Sequence, residues 1–119
     1  MKIVQIVGLL LIFPIWLSTW VLIPRVMGKL FESMYASDEK IWRNEGEPWA
    51  IFSWEPPEGR SATGNIAGTI LAIKLAFTTP NWLPLVSEGH LLQKKLRIYL
   101  FIDFAAAIAI FSLLLSLSS

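Results

Sequence analysis

Two long runs of apolar residues dominate the pattern along the chain, one near each end. The first covers residues 3–23 without a charge, and the second covers residues 98–117 with a single charge, Asp103. A helix needs about 20 apolar residues to cross about 30 Å of hydrocarbon, and both runs have that length. The pattern therefore predicts two transmembrane helices, with Pro14 tolerated inside the first.

A cleaved signal peptide is the alternative interpretation of the first run. Its apolar core would be about 7–15 residues long and would be followed by small residues at the cleavage site. This run is longer and closes on Thr19, Trp20, Val21 and Leu22, which are mostly bulky. The pattern therefore favours a retained membrane anchor.

The charge of Asp103 does not prevent insertion of the second run. Twelve Ile, Leu and Phe residues in residues 98–117 favour the membrane by roughly 4–7 kcal/mol in total. An acidic residue at the centre of a span costs about 2.5–3.5 kcal/mol. Asp103 lies only six positions after Arg97, near one edge, where the cost is smaller.

The segment between the runs carries amphipathic and turn signals. Apolar residues at helical spacing in residues 26–35 predict a helix that continues from the membrane edge and lies in the interface or against a partner. A second short helix is expected over residues 38–43, stopped by Gly46 and Pro48. Residues 53–65 are rich in turn-forming residues and predict a loop.

Residues 66–77 form a shorter apolar stretch. Twelve residues are too few to span a bilayer and suit an interfacial or buried helix. A third span over residues 66–86 is the alternative, although it would contain Lys74 and two prolines. Ser87 is the expected N-cap of a helix that begins at Glu88 and continues into the second span.

The distribution of Lys and Arg predicts the orientation. Lys2 precedes the first span and none follows the second, so 10 − 1 = 9 of the ten lie in residues 24–97. The positive-inside rule then places the middle segment in the cytoplasm and both termini outside. Seven residues are expected at the membrane interfaces: Trp16, Trp20, Arg25, Lys29, Lys94, Lys95 and Arg97.

The fold class predicted from these features is an all-α membrane protein. Its two transmembrane helices are joined by a cytoplasmic segment of amphipathic or interfacial helices. The expected divisions are residues 1–24 for the first span, 25–97 for the cytoplasmic segment and 98–119 for the second span. The expected location is the bacterial inner membrane.

The composition excludes several kinds of chemistry. The chain has no Cys and one His, His90, so disulfides, iron–sulfur clusters, cysteine nucleophiles and multi-His metal sites are excluded within one chain. The net charge of +1 and the alternating charges around the tryptophans argue against nucleic-acid binding. We therefore expect no catalytic residue, no metal and no cofactor, and a protein that is not an enzyme.

Asp103 is the residue most open to a functional interpretation, because acids inside membranes often serve transport or subunit contacts. Three interpretations remain open. The carboxylate is solvated at headgroup depth or bonded to a hydroxyl such as that of Tyr99, it contacts a partner subunit, or it takes part in a proton or ion pathway.

Small residues on the second span predict a helix-packing face, because they allow helix backbones to approach closely. The face packs either against the first span, where Gly8 offers a groove, or against another subunit. Its expected members are Ala105, Ala109, Ser112 and Ser116.

Trp42, Gly46, Pro48 and Phe52 form the pattern W-x-x-x-G-x-P-x-x-x-F after a short acidic helix. This pattern, and the basic segment 92–97 that leads into the last span, resemble the universal stress protein B family of small bacterial membrane proteins. The resemblance covers residues 30–105, and the Pro-rich stretches 54–59 and 80–84 depart from it. It implies a stress-associated membrane protein without catalytic residues.

The function predicted from the sequence is that of a small non-enzymatic membrane protein. Its expected partners are the lipid bilayer and other membrane protein subunits, to which it contributes as an accessory or interaction subunit. The alternatives are a stress-associated membrane protein that acts alone, through lipid contacts of residues 26–35 and 88–97, and a proton or ion pathway component that uses Asp103.

Overall fold

The computed structural model describes residues 2–50 and 52–118, and the long regular elements among them are all α-helices. One 3-10 turn and a lone bridge between Ala50 and Trp54 complete the regular structure. The helical character is as predicted from the sequence. The helices are α1 (Lys2–Ser37), α2 (Glu39–Asn44), α3 (Gly64–Phe77) and α4 (Gly89–Ser118).

The two longest helices, α1 and α4, lie side by side and antiparallel. Gly8 of α1 faces Leu113, and Thr19 contacts Asp103, so residues early in α1 meet residues late in α4. Near the other end of α1, the Ser37 hydroxyl accepts a hydrogen bond from the Ser87 backbone, just before α4 begins. At 1.5 Å per residue α1 is about 54 Å long, close to the 56 Å long dimension of the molecule.

The apolar halves of α1 and α4 (residues 2–23 and 98–118, here called the helix pair) expose most of their side chains. Only 6% of the most apolar window of each helix is buried, and both helices are long and apolar enough to cross a membrane. Leu10 and Phe101 are 69% and 75% exposed. A core helix of a water-soluble domain would bury such residues.

The remaining described residues, 24–50 and 52–97, form a compact unit called the head here. Its core joins all four helices, with Leu30 and Phe31 from α1, Trp42 from α2, Leu71 from α3 and Leu96 from α4. Each of these five side chains is at most 1% exposed. The head therefore buries apolar side chains in the manner of a small soluble domain.

The helix predicted from residues 26–35 is present, but its apolar side lies neither at an interface nor against a partner chain. Val26, Met27 and Met34 are buried in the head core together with Leu30 and Phe31. The reason is that side chains of α2, α3 and α4 join this side of α1 in one core, which the local pattern does not reveal. The boundaries expected at 24/25 and 97/98 mark changes in composition and fall inside continuous helices.

The predicted short helix corresponds to α2, with Asp38 as its N-cap. Gly46 follows its C-terminus with a φ of +96°, a conformation that glycine adopts without steric cost. The predicted loop 53–65 is confirmed over residues 55–63, which contain no helix or strand, whereas its last two residues belong to α3.

Residues 66–86 do not form the alternative third span. The helix α3 ends at Phe77 and is about 21 Å long, too short to cross about 30 Å of hydrocarbon. The expected N-cap of α4 is also corrected, because α4 begins at Gly89 and the Glu88 carbonyl accepts its first hydrogen bond, from Leu92. Ser87 lies one residue earlier, and its backbone N–H is bonded to Ser37.

Candidate interaction surface

A polar contact between Thr19 and Asp103 crosses the helix pair. The Thr19 hydroxyl is 2.7 Å from a carboxylate oxygen of Asp103 and 2.6 Å from the Trp16 carbonyl of its own helix. Thr19 is only 2% exposed, although it lies in the most apolar part of α1. Hydrogen bonds between membrane helices contribute about 0.6–2 kcal/mol, so this contact fixes the register of the pair more than it adds stability.

The residues expected on a helix-packing face occupy different environments. Gly8 lies at the contact with α4, where a side chain would meet Leu113. Ser116 also reaches α1, through a hydrogen bond from the Gln5 amide. Ala109 is half-buried, whereas Ala105 and Ser112 are exposed.

The buried alanine of α4 is Ala106, with an exposure of 7%. It lies three residues after Asp103, on the side of α4 that faces α1. Gly8 and Ser116 of the predicted packing face thus contact the neighbouring helix, whereas Ala105 and Ser112 do not face this contact. Ala105 and Ser112 therefore remain available on the outer surface of the helix pair.

The C-terminus of α3 is held by two side chains of α4, Gln93 and Arg97. The Gln93 amide donates to the carbonyls of Leu75 and Thr78, at 3.2 and 2.8 Å. The Arg97 guanidinium donates to the same two carbonyls, at 3.1 and 3.2 Å. The last carbonyls of a helix have no partner inside it, and a cation there is favourable. Arg97, expected at the membrane interface, therefore also anchors α3 to α4.

The opposite side of α3 forms an exposed apolar stripe of four side chains, called the α3 stripe here. They lie at i, i+4, i+7 and i+11 and are 57–82% exposed: Ile66, Ile70, Ile73 and Phe77. Its other side buries Leu71 and Leu75 against the head core. The α3 stripe is thus a contiguous apolar surface on a unit that already has its own core, which is a feature of interaction sites.

The other residues expected at membrane interfaces surround the boundary between the helix pair and the head. Trp20 is exposed and packs edge-on against the half-buried Trp16, with ring centroids 4.9 Å apart. The cations Arg25, Lys29, Lys94 and Lys95 are all exposed. The Lys29 ammonium lies 4.0 Å from the Glu88 carboxylate, a solvent-exposed pair that contributes little to stability.

Aromatic side chains of the middle segment pack inside the head. Trp42 is 1% exposed, donates to the Pro48 carbonyl at 2.9 Å and packs edge-on against Tyr35 and Trp54. Trp49 donates to the Ser61 carbonyl at 2.9 Å. These rings therefore stabilise the fold, and the buried Trp42 offers no stacking surface to a nucleic-acid base.

A charged network lies on the surface above Trp42. The Arg43 guanidinium contacts the carboxylates of Glu39, Glu47 and Glu58 at 3.0–3.4 Å. A hydrogen bond from the Tyr35 hydroxyl, and then the Arg43 guanidinium, lower the pKa of Glu39 below its ordinary value. The network has one cation among three acids, which is the arrangement of a solvated ion-pair network.

The described residues offer no group of three or more His, Cys, Asp or Glu side chains that could hold a metal ion. His90 is exposed on the first turn of α4. Within residues 2–50 and 52–118, the chemically most distinctive features are thus the Thr19–Asp103 contact and the α3 stripe. Both features suit helix packing and association.

Comparisons of the chain with models of known protein families, with curated proteins and with solved structures found no match. The resemblance to the universal stress protein B family remains a prediction from the residues that carry it.

Proposed function

We propose that the chain is a small non-enzymatic integral membrane protein that serves as an accessory or interaction subunit of a larger membrane complex. The helix pair would anchor it in the bilayer, and the head would lie at one surface. The nine Lys and Arg of residues 24–97, against one in the rest of the chain, support a cytoplasmic position of the head in a bacterial inner membrane.

Membrane placement is supported by the contrast in burial between the two units. The helix pair exposes side chains such as Leu10 and Phe101, while the head buries Leu30 and Phe31 almost completely. In water, the exposed apolar surface of the helix pair would drive aggregation, whereas in lipid it needs no further cover. Retention of the first run is supported because α1 continues without a break into the head core.

The observation that carries the interaction role is the α3 stripe. The head is already folded around its own core, so these four exposed side chains are not needed to complete it. The helix is too short to span the bilayer and runs along the head. An apolar helix face of this kind is the feature by which helices dock into grooves of partner proteins.

Native mass analysis after extraction of the tagged protein from its own membrane in mild detergent tests the proposal. The unchanged chain is expected in a defined assembly with at least one other protein. Replacement of Ile66 and Ile70 by Asn removes two members of the α3 stripe without touching the core, and we expect the partner to be lost.

The matched control is Phe52→Asn, which removes an apolar side chain that is 96% exposed on another surface of the head. It is expected to retain the partner. A homogeneous monomer or homodimer from the unchanged chain would contradict the accessory role and favour a protein that acts alone. Equal loss of the partner in both variants would show that the interaction does not depend on the α3 stripe.

The structural setting favours packing over transport for Asp103. Its carboxylate is engaged by Thr19 of the neighbouring helix, and a contact of this kind supports helix association. Unchanged transport by the native complex with Asp103→Asn would remove the pathway alternative.

A further inference from the structure

An apolar groove lies between α1 and α3, on the side of the head nearest the helix pair. Its volume is about 390 Å³, within the range of about 300–1,000 Å³ that is typical of ligand pockets. Its walls come from three parts of the chain: Met27 and Phe31 of α1, Trp49 and Ala50 of the connecting segment, and Gly68 and Ala72 of α3.

Small residues of α3 bring one wall of the groove close to the other. Gly68 approaches Phe31 so closely that an added Cβ would lie 3.1 Å from its ring. Ala72 is half-buried on the same wall, one turn further along α3. The polar residues of the wall are already engaged, since Thr69 donates to the Asn65 carbonyl and the Asn65 side chain accepts from the Ile66 backbone. The remaining surface is apolar.

The position of the groove indicates where a ligand would enter. Ile23, Pro24 and Leu100 also line it, and they lie where the two long apolar runs meet the head. The groove is therefore continuous with the exposed apolar surface of the helix pair. An occupant would arrive from the hydrocarbon side, without first crossing water.

Cations lie beside the groove. Pro24 also lines a second groove, whose other residues include Trp20, Arg25 and Lys29. From one groove to the other, the surface therefore changes from apolar walls to two cations and one acid, Glu32, beside an aromatic ring. The Lys29 ammonium also lies 4.0 Å from the Glu88 carboxylate. Apolar walls followed by cations are the order of groups that complements an acyl chain followed by a phosphate.

We propose that the groove between α1 and α3 binds one acyl chain of an anionic membrane phospholipid, with its phosphate against Arg25 and Lys29. The proposal rests on the membrane placement proposed above. Such a lipid would fill the space between α1 and α3 and couple the head to the leaflet in which the helix pair ends.

Photocrosslinking in vesicles tests the proposal on the full chain. The probe is a phosphatidylglycerol with a photoreactive diazirine in one acyl chain, and the labelled peptides are identified by mass spectrometry. We expect label on Met27 and on residues 65–73, in addition to label on the lipid-facing residues of the helix pair. Ala72→Phe fills the groove and is expected to reduce the groove label to the background measured at Lys40.

The matched control is Ile70→Phe, which adds the same side chain on the exposed side of α3 and should retain the groove label. Thr69→Phe provides a second groove-filling variant if Ala72→Phe does not fold. A double change of Arg25 and Lys29 to Gln should abolish the preference for phosphatidylglycerol over a phosphatidylcholine probe of the same chain.

The outcomes separate the groove from the membrane placement. Label confined to the helix pair, or groove label that persists in both filled variants, would overturn the lipid site and leave the placement intact. Absence of label from the helix pair as well would overturn the placement itself.

Discussion

The helix pair and the head use apolar residues in opposite ways along the same two helices. In the head, α1 and α4 bury Leu30 and Leu96 to at most 1% exposure. In the helix pair, the same helices leave Leu10 and Phe101 largely exposed. The change occurs near Pro24 and Arg97, without a break in either helix. The division of the chain is therefore one of side-chain burial along the same two helices.

The largest expected effect comes from truncating one phenylalanine in each unit and comparing the losses of stability. Phe31→Ala leaves a cavity in the head core and should lower the free energy of unfolding by about 3–5 kcal/mol. Phe101→Ala removes an exposed ring and should change it by no more than about 0.5 kcal/mol. Chemical unfolding in detergent, followed by near-UV circular dichroism, measures both. Equal losses would mean that the helix pair has a packed core of its own.

A smaller effect is expected where the head holds the end of α3. Gln93→Leu removes the amide that donates to the Leu75 and Thr78 carbonyls, and should cost about 1–3 kcal/mol. Hydrogen exchange should show faster exchange in α3 and little change in α1. Lys94→Leu is the control, because Lys94 is exposed and its replacement should stay within about 0.5 kcal/mol. Unchanged exchange in α3 with Gln93→Leu would contradict the anchoring role.

The contact between Thr19 and Asp103 is expected to contribute less. Thr19→Val keeps the shape of the side chain and removes the hydroxyl, so the association of α1 and α4 should weaken by about 0.6–1.7 kcal/mol. Ser18→Ala is the control, since the Ser18 hydroxyl donates to the Pro14 carbonyl of its own helix. A double-mutant cycle with Asp103→Asn measures the coupling in lipid. Coupling near zero would show that the contact does not hold the pair together.

The smallest effect concerns the surface network around Arg43. The pKa of Glu39 is lowered in the folded protein. Glu39 therefore stabilises the fold at a pH above the ordinary glutamate pKa, and this stabilisation is lost as the pH falls through the lowered pKa. Glu39→Gln should therefore flatten the decline in melting temperature of the head in acid. Glu32→Gln, outside this network, should leave the decline unchanged. A steeper decline with Glu39→Gln would have the wrong sign for this explanation.

The sequence predicted the helices of this fold better than their contacts. Apolar runs and turn residues are local signals, and they located the long helices, α2 and the loop before α3. The burial of residues 26–35 depends on packing against α2, α3 and α4, which no local period reveals. Of the predicted helix-packing face, Gly8 and Ser116 contact the neighbouring helix while Ala105 and Ser112 are exposed, because small size marks the side chains that allow close approach and not the direction of the neighbouring helix.

The polar residues that organise the structure were also missed from the sequence. Thr19 and Gln93 are uncharged and lie among apolar or basic neighbours, and their partners, Asp103 and the end of α3, are far away along the chain. The sequence signal that could have identified Thr19 and Gln93 is an uncharged polar residue on the apolar side of a helix. The α3 stripe was hidden for a related reason: both sides of α3 are apolar, so the pattern alone does not distinguish the packed side from the exposed side.

The most direct test of the central claim is cysteine accessibility in native membranes, since the chain has no Cys of its own. Single replacements at Ile108, Lys95 and Glu58 are treated with a membrane-impermeant maleimide from each side of the membrane. The account predicts protection at Ile108 from both sides, and labelling at Lys95 and Glu58 from the cytoplasmic side alone. Labelling of Ile108 as rapid as that of Lys95 would place the helix pair in water and contradict the account.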